Sequence, residues 1–104
     1  MEFAPLILAS TAKHLQLLFE SEDDLNQSES ILQLEQAVAQ AVLHLLQQDL
    51  NRLLNILYRV DVDERQVKQA MKAATQEEVA LQVARLIIKR ELQKAQTRFI
   101  YRYN

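Results

Sequence analysis

The sequence predicts an all-α fold, a single domain over 1–104 built as an antiparallel bundle of four helices. The first observation is that none of the 104 residues is glycine, although average usage of about 7% would give roughly seven. The second is that apolar residues recur every three or four positions, the spacing of one helix face. The third is that N-capping residues precede the apolar segments. The pattern predicts two long helices, over about 30–60 and 75–100, and two shorter ones, over about 5–20 and 63–73.

The first predicted helix begins at the only proline of the chain, Pro5. Proline suits the first helical turn, where its missing N–H leaves no hydrogen bond unmade. An apolar stripe at helical spacing follows, formed by Leu8, Ala12, Leu15, Leu18 and Phe19. The next segment, SEDDLNQSES at 21–30, is polar and acidic, which predicts a loop.

The second predicted helix would be roughly 45 Å long at 1.5 Å per residue. Ser30 is placed to cap it, and Gln33, three residues later, completes a capping box. A heptad-like stripe runs along it through Leu32, Ala39, Leu43, Leu46, Leu50, Leu53, Leu57 and Val60. We expect this helix to lie at the centre of the fold.

Asp49 lies among leucines within the apolar face predicted for the second helix. A carboxylate buried there needs a partner to offset the cost of its burial. One interpretation is a salt bridge to a basic residue of the last helix or of a partner chain. The other is an acid that handles protons or binds a small ligand, which requires an internal pocket beside Asp49.

The two remaining helices have N-terminal signals of their own. Asp63 is placed to cap the third helix, with Gln66 at its third position, and Thr75 and Glu78 form a capping box for the last helix. The main apolar stripe of the last helix consists of Leu81, Ala84, Ile88, Leu92, Ala95 and Phe99. The pattern leaves open whether 99–104 remain helical.

Charge is distributed unevenly along the chain, although the formal net charge is only −2. Residues 1–51 contain eight acidic residues and one basic residue, a net of −7, whereas 52–104 contain eleven basic and six acidic residues, a net of +5. Such asymmetry is found in chains that contact nucleic acid or a membrane surface. It also arises when oppositely charged regions attract each other, within one chain or between two copies.

The stretch at 36–48, QAVAQAVLHLLQQ, contains no Asp, Glu, Lys or Arg. The centres of protein interfaces are depleted in charge, unlike the solvent-facing sides of most helices. We therefore predict a protein interface formed by Gln36, Gln40, His44 and Gln47. Its partner would be a second copy of the chain, because long helices overhang short neighbours and the overhang needs cover, or another protein. The alternative is a glutamine-rich helix surface that binds nothing.

The C-terminal segment 89–104 has a net charge of +4, from five basic residues and Glu91. Four of the basic residues follow one another at intervals of four: Arg90, Lys94, Arg98 and Arg102. Interleaved aromatic residues make this basic stripe a candidate nucleic-acid surface, the second function that the sequence suggests. Two other interpretations compete, because basic side chains are favourable near a helix C-terminus and because the stripe could lie against the acidic loop at 20–29.

Several classes of site have no pattern in the sequence. The chain contains no cysteine, which excludes disulfides, thiolate zinc sites and thiol catalysis. The two histidines, His14 and His44, belong to no H-E-x-x-H or E-x-x-H motif, so we expect both at the surface or at its boundary. No spacing indicates a catalytic triad, and no apolar run reaches the ~18 residues needed to cross a membrane. We therefore expect a non-enzymatic cytoplasmic protein with no cofactor and no membrane contact.

One loop partly matches the calcium-binding loop of an EF-hand. Asp24, Asn26 and Ser28 supply oxygen atoms at positions 1, 3 and 5, and Glu35 supplies the carboxylate at position 12. Position 6, however, is Glu29, where glycine is needed for the sharp turn. No second loop accompanies the first, so we do not expect calcium to bind.

A family resemblance is carried by two segments, LNRLLNILYRVDVDERQV at 50–67 and LIIKRELQKAQTR at 86–98. The chain resembles small, uncharacterised all-α bacterial proteins, which share a leucine-rich helix ending in a Tyr-Arg-hydrophobic-Asp turn, here at 58–61, and a closing basic helix. The resemblance implies a cytoplasmic helical domain. It implies no activity and no functional residues, because none is established for that group.

Overall fold

A computed structural model describes residues 5–20, 25 and 30–103, with the side chains of all of these except 5, 6, 99, 102 and 103. The described part of the chain contains five helices: α1 Pro5–Phe19, α2 Ile31–Gln48, α3 Leu50–Val60, α4 Glu64–Ala70 and α5 Gln76–Tyr103. The predicted all-α class is confirmed. The predicted count of four helices is not, because the described residues form five. The last helix continues as far as Tyr103.

The predicted single helix over 30–60 is wrong, because the chain leaves helical geometry at Asp49 and begins a new helix one residue later. Asp49 has φ −156° and ψ 77°. Its N–H still makes the last helical bond of α2, donating to the carbonyl of Leu45 at 2.8 Å. Its side chain accepts the N–H of Arg52, 3.1 Å from Oδ1, and so caps α3. An aspartate that bonds to the neighbouring backbone competes with the helical ladder, and this competition divides the helix.

Asp49 is exposed to solvent, which corrects the expectation of a buried acid. The break in the helix ends the apolar face that would have enclosed it, and its carboxylate bonds to the backbone of α3. In the described part of the chain, two open grooves of about 330 and 280 Å³ lie between α4 and α5, and Asp49 lines neither. Helix capping therefore accounts for this residue.

Three predicted N-caps are confirmed by hydrogen bonds between side chain and backbone. The Ser30 hydroxyl accepts the N–H of Gln33 at 3.2 Å, and the Thr75 hydroxyl accepts the N–H of Glu78 at 3.1 Å. The Asp63 carboxylate accepts an N–H of the first turn of α4 at 2.9 Å. Each cap satisfies a donor that the first helical turn leaves without an internal partner, so short sequence patterns determine where these helices begin.

α5, and not the predicted second helix, lies at the centre of the fold, because it packs against each of the other four helices. Its 28 residues extend about 42 Å at 1.5 Å per residue, which matches the longest dimension of the molecule, 42 Å. Its buried positions are Val79, Ala80, Val83, Ala84, Ile87, Ile88, Glu91, Leu92 and Ala95. Apolar side chains from the other helices complete the core around it.

α2 and α5 are antiparallel, the arrangement expected of a bundle. Near the start of α2, Glu35 lies 3.3 Å from the Arg85 guanidinium. Near its end, the Gln47 amide donates to Gln76 at 3.2 Å. The start of α2 therefore lies beside the middle of α5, and the end of α2 lies beside the start of α5. The side of α2 that does not contact α5 faces outward.

Asp61 ends α3 in the left-handed region of backbone geometry, with φ 66° and ψ 51°. Its N–H reaches the carbonyls of Leu57 and Tyr58, at 3.0 and 3.2 Å. Glycine is the usual residue at such helix ends because it has no Cβ to strain, but aspartate also adopts this region. The Asp61 carboxylate also pairs with Arg90 of α5 at 3.5 Å. An aspartate therefore takes the place of glycine at this helix end and also links α3 to α5.

We expect Asp49→Ala to lower the free energy of unfolding by about 1 kcal/mol, the usual cost of removing an N-cap side chain. Asp49→Asn keeps an oxygen acceptor and should remain within about 0.5 kcal/mol of the parent chain. Urea unfolding followed by circular dichroism measures both. A gain in stability for Asp49→Ala would show that the aspartate strains the helix and does not cap it.

Candidate interaction surface and buried carboxylate

One side of α2 contains all four residues predicted to form an interface. The α2 face, as we call it, consists of Leu32, Gln36, Gln40, His44 and Gln47. All five are exposed, and they follow one another at intervals of three or four residues, so they share one side of the helix. Leu32 is 61% exposed although it is a large apolar residue. The contact between Gln47 and Gln76 anchors the other end of the face against α5.

A second exposed row, on α3, is entirely apolar and is called the α3 flank below. Leu50, Leu54 and Tyr58 are spaced four residues apart and are 48, 46 and 85% exposed. Residues four apart are neighbours on a helix surface, so the three side chains form one continuous ridge. The core-facing side of α3 is a separate set, Leu53, Ile56, Leu57 and Val60. A contiguous exposed apolar row of this kind is typical of a binding surface.

Sequence reasoning did not find the α3 flank. It placed Leu50 in the core stripe and gave Leu54 no role. The stripe continues correctly past Asp49, because Leu53, Leu57 and Val60 are buried as predicted, so the error lies in how wide a side of α3 was expected to face the core. One signal was present in the sequence: α3 is apolar over more of its circumference than a single core-facing stripe requires.

The charged side chains of α3 lie away from the α3 flank. Arg52 pairs with Glu20 at 3.2 Å and donates to the carbonyl of the last residue of α1 at 3.2 Å. Arg59 is exposed on the same side of α3 as Arg52. At 100° per residue, the exposed amides of Asn51 and Asn55 lie between this basic side and the flank. Neither the α2 face nor the α3 flank contains Asp, Glu, Lys or Arg.

Glu91 of α5 is a carboxylate buried completely in the core, with 0% exposure. Its Oε2 lies 2.6 Å from Nδ1 of His14 in α1. Its Oε1 lies 3.6 Å from the ammonium nitrogen of Lys94 and makes no hydrogen bond within the described part of the chain. Burial of a carboxylate is costly unless a partner compensates it. His14 is therefore the residue on which the burial of Glu91 most depends.

The pair of His14 and Glu91 joins α1 to the central helix. His14 is 41% exposed, so its ring covers the buried carboxylate on the side of α1. Thr11, one turn earlier in α1, is also buried, but its hydroxyl donates to the carbonyl of Ile7 at 2.8 Å. Within the described residues, no three His, Cys, Asp or Glu side chains are grouped so that they could hold a metal ion. The geometry supports a role in holding α1 on α5.

Glu91 was counted only as the one acidic residue of the basic C-terminal segment, although a local pattern marks its position and not its partner. Glu91 follows Ile87 and Ile88 by four and three residues and precedes Ala95 by four, so it lies within an apolar stripe. A carboxylate in such a stripe is the signal that predicts a buried acid. His14 lies at the boundary of the core, as expected, but it is 77 positions away from Glu91, and only the tertiary fold brings the two together.

The predicted basic stripe is partly engaged in contacts within the chain. Arg90 pairs with Asp61 at 3.5 Å, and Lys94 lies 3.6 Å from the buried carboxylate. Arg98 is exposed, and the side chain of Arg102 lies outside the described residues. Binding of a polyanion depends on cations that are free to neutralise phosphates. The stripe is therefore less available to nucleic acid than its net charge suggests.

The loop with an EF-hand-like pattern falls largely outside the described residues, at 21–24 and 26–29. The interpretation that the acidic loop at 20–29 lies against the basic stripe concerns these same residues, so most of it also lies outside the described part of the chain. Leu25 is described and buried, and its N–H donates to Gln16 Oε1 at 2.6 Å. Glu35, the residue at position 12 of the pattern, lies in α2 and is paired with Arg85.

In comparisons with known proteins, no family model, no curated protein and no solved structure matches this chain. The resemblance at 50–67 and 86–98 therefore stays a prediction. None of the helices in the described ranges has both the length and the apolar character needed to cross a membrane. Any function has to be argued from the α2 face, the α3 flank and the buried pair.

We expect His14→Ala to lower the free energy of unfolding by about 1 to 3 kcal/mol, because it leaves a buried carboxylate without its hydrogen bond. Glu91→Met removes the charge and preserves most of the side-chain volume, so it should cost less than His14→Ala or stabilise the fold. In the Glu91→Met background, His14→Ala should cost less than about 0.5 kcal/mol, because no carboxylate is left unpaired. Urea unfolding of the four chains completes this double-mutant cycle.

Equal losses from His14→Ala in both backgrounds would contradict the pairing. The matched control is Lys13→Ala, which truncates an exposed neighbour on the same helix. Its effect should be small and the same in both backgrounds, because substitutions at exposed positions without special contacts rarely exceed about 0.5 kcal/mol.

Proposed function

We propose that this protein is a non-enzymatic interaction module that forms a homodimer through the α2 face and the α3 flank. The observation that carries the proposal is the α3 flank, three large apolar side chains that are 46 to 85% exposed in one row. Only one residue separates α2 from α3, so the two rows follow each other directly along the chain. We place the protein in the cytoplasm, because its lack of cysteine is typical of reducing compartments.

The physical support for association is the apolar surface that a monomer leaves in water. Covering such surface is favourable by roughly 25 cal/mol per Å². Tyrosine is among the residues that most often dominate binding energy when they lie near the centre of an interface. An area without ionised groups also avoids the cost of desolvating charge. The α3 flank has the composition of an interface centre, and the more polar α2 face has that of its surroundings.

A second copy of the chain is the partner that the chemistry of the α2 face favours. Each glutamine amide has both hydrogen-bond donors and an acceptor. In a two-fold dimer the same patch of both chains is buried, and the glutamines can bond there to donors or acceptors of the second copy. A row of charged side chains would instead have to lose its water. The absence of charge over 36–48 thus supports self-association.

Nucleic-acid binding, the second function suggested by the sequence, has less support. Of the four basic residues proposed for it, Arg90 and Lys94 are held in contacts within the chain. That function predicts a complex that weakens steeply as salt is added. A ligand site at Asp49 is not proposed, because this residue is exposed and caps α3.

We expect light scattering to give twice the mass of one chain over a wide range of protein concentration. The dimer should persist at high salt, because screening weakens interactions between charges and leaves apolar contacts in place. A chain that is monomeric at every concentration would overturn the proposal. A dimer that dissociates on addition of salt would point instead to attraction between the acidic and basic halves of the chain.

We expect Gln36→Glu combined with Gln40→Glu to raise the dissociation constant of the dimer by at least about tenfold. The reason is that the new carboxylates would lose water when the α2 face is covered, and burying an ionised group without a partner is costly. Sedimentation over a concentration series measures the change.

The matched control is Gln82→Glu combined with Gln93→Glu, which adds the same net charge to exposed positions on α5. Both of these residues line the grooves beside α4 and lie outside the two exposed rows. Equal weakening of the dimer by the two double variants would show that net charge matters and that the α2 face does not.

A further inference from the structure

The α3 flank is symmetric about its middle residue. Leu50 and Tyr58 each lie four residues from Leu54, or about 6 Å along the helix axis. A second α3 laid antiparallel on the flank therefore brings Leu54 against Leu54 and Leu50 against Tyr58. Every large apolar side chain of the row then meets another, so the row is complementary to itself.

The arginines of α3 do not oppose an antiparallel pairing of the flank. α3 contains Arg52 and Arg59 and no acidic residue. Arg52 is held at the end of α1 by Glu20, whereas Arg59 is exposed. Antiparallel pairing about Leu54 separates the two copies of Arg59 by about 15 Å along the axis, beyond the screening length of about 8 Å at physiological salt. Arg59 also lies about 140° around the helix from Leu54, so its charge points away from the contact.

The edge of the flank is also complementary to itself. Asn51 and Asn55 each follow a leucine of the row by one residue. In an antiparallel pair about Leu54, this side of one helix faces the same side of the other. Each carboxamide is both donor and acceptor, so the asparagines of one copy can bond to those of the other.

The size of the flank determines what else the contact needs. Three partly exposed side chains offer on the order of a few hundred Å², less than the roughly 800 Å² per partner of a stable interface. The rest has to come from other exposed surface, and the α2 face, which precedes α3 across the exposed Asp49, is the uncharged row nearest to the flank in the chain. The inference below therefore rests on the proposed function.

We propose that two copies of the chain meet through antiparallel pairing of their α3 helices, with Leu54 of both copies at the two-fold axis. Tyr58 of each copy covers Leu50 of the other, and the α2 faces surround this contact. The α3 flank is then the centre of the dimer interface, and the two positions of Leu54 are the closest pair of equivalent residues in it.

Single cysteines test this geometry cleanly, because the chain has none of its own. Helices packed about 8–10 Å apart, with Cα atoms about 2.3 Å from each axis, bring facing Cα atoms to roughly 3.5–5.5 Å. Disulfides form over a similar range of distances. With copper phenanthroline as oxidant, we expect Leu54→Cys to give a cross-linked dimer at least about tenfold faster than Arg59→Cys, the matched control on the same helix.

A mixture of two variants tests the direction of the pairing. Leu50→Cys and Tyr58→Cys, one of them carrying a tag that changes its mass, should form the mixed disulfide faster than either forms a disulfide with itself. Parallel pairing predicts the reverse. This mixture does not depend on Leu54→Cys, so it also tests the proposal if that variant folds poorly, which circular dichroism before oxidation detects.

The failure of this inference and the failure of the proposed function give different results. If the parent chain is a dimer by light scattering and Leu54→Cys cross-links no faster than Arg59→Cys, the α3 pairing is overturned and self-association stands. If the parent chain is a monomer, both are overturned. Fast cross-linking of Leu54→Cys together with the mixed Leu50 and Tyr58 disulfide establishes the pairing.

Discussion

The fold depends on covering one helix, α5, which is buried at positions from Val79 to Ala95 and packs against every other helix of the described chain. A helix with so long an apolar face is stable only when other elements cover that face. The remaining four helices are arranged around this requirement. α2 covers α5 lengthwise in the opposite direction, and α1, α3 and α4 cover what α2 leaves. The faces of α2 and α3 that point away from α5 are then free for binding.

Glu91 introduces polarity into this otherwise apolar surface, and its position explains how α1 is oriented. An apolar helix can slide or rotate on an apolar surface at little cost, because hydrophobic contacts are not directional. A hydrogen bond from His14 to a buried carboxylate is directional, and loss of it leaves the carboxylate without a hydrogen bond in the described part of the chain. The pair therefore selects one register of α1 on α5. The proposed dimer surface lies elsewhere, so the residues that orient α1 are not those of the proposed interface.

The parts of the fold that could be predicted are those encoded in adjacent residues. The caps at Ser30, Asp63 and Thr75 follow from short patterns, and α1 has nearly its predicted bounds. The break at Asp49 could not be predicted from periodicity, because the apolar spacing continues through it and only a side-chain hydrogen bond divides the helix. The exposure of the α3 flank and the partner of Glu91 both depend on tertiary packing. The α2 face was found because a lack of charge is visible in sequence.

The left-handed turn at Asp61 shows how a chain without glycine balances entropy against strain. Such a chain has a less flexible unfolded state and loses less backbone entropy when it folds. It must then place ordinary residues where a positive φ is required, here Glu20 at 48° and Asp61 at 66°, at a cost of roughly 1 kcal/mol each. The exposed ion pair of Asp61 with Arg90 offsets little of that cost. This turn is therefore where an engineer could add stability, with glycine or asparagine, and leave both exposed rows unchanged.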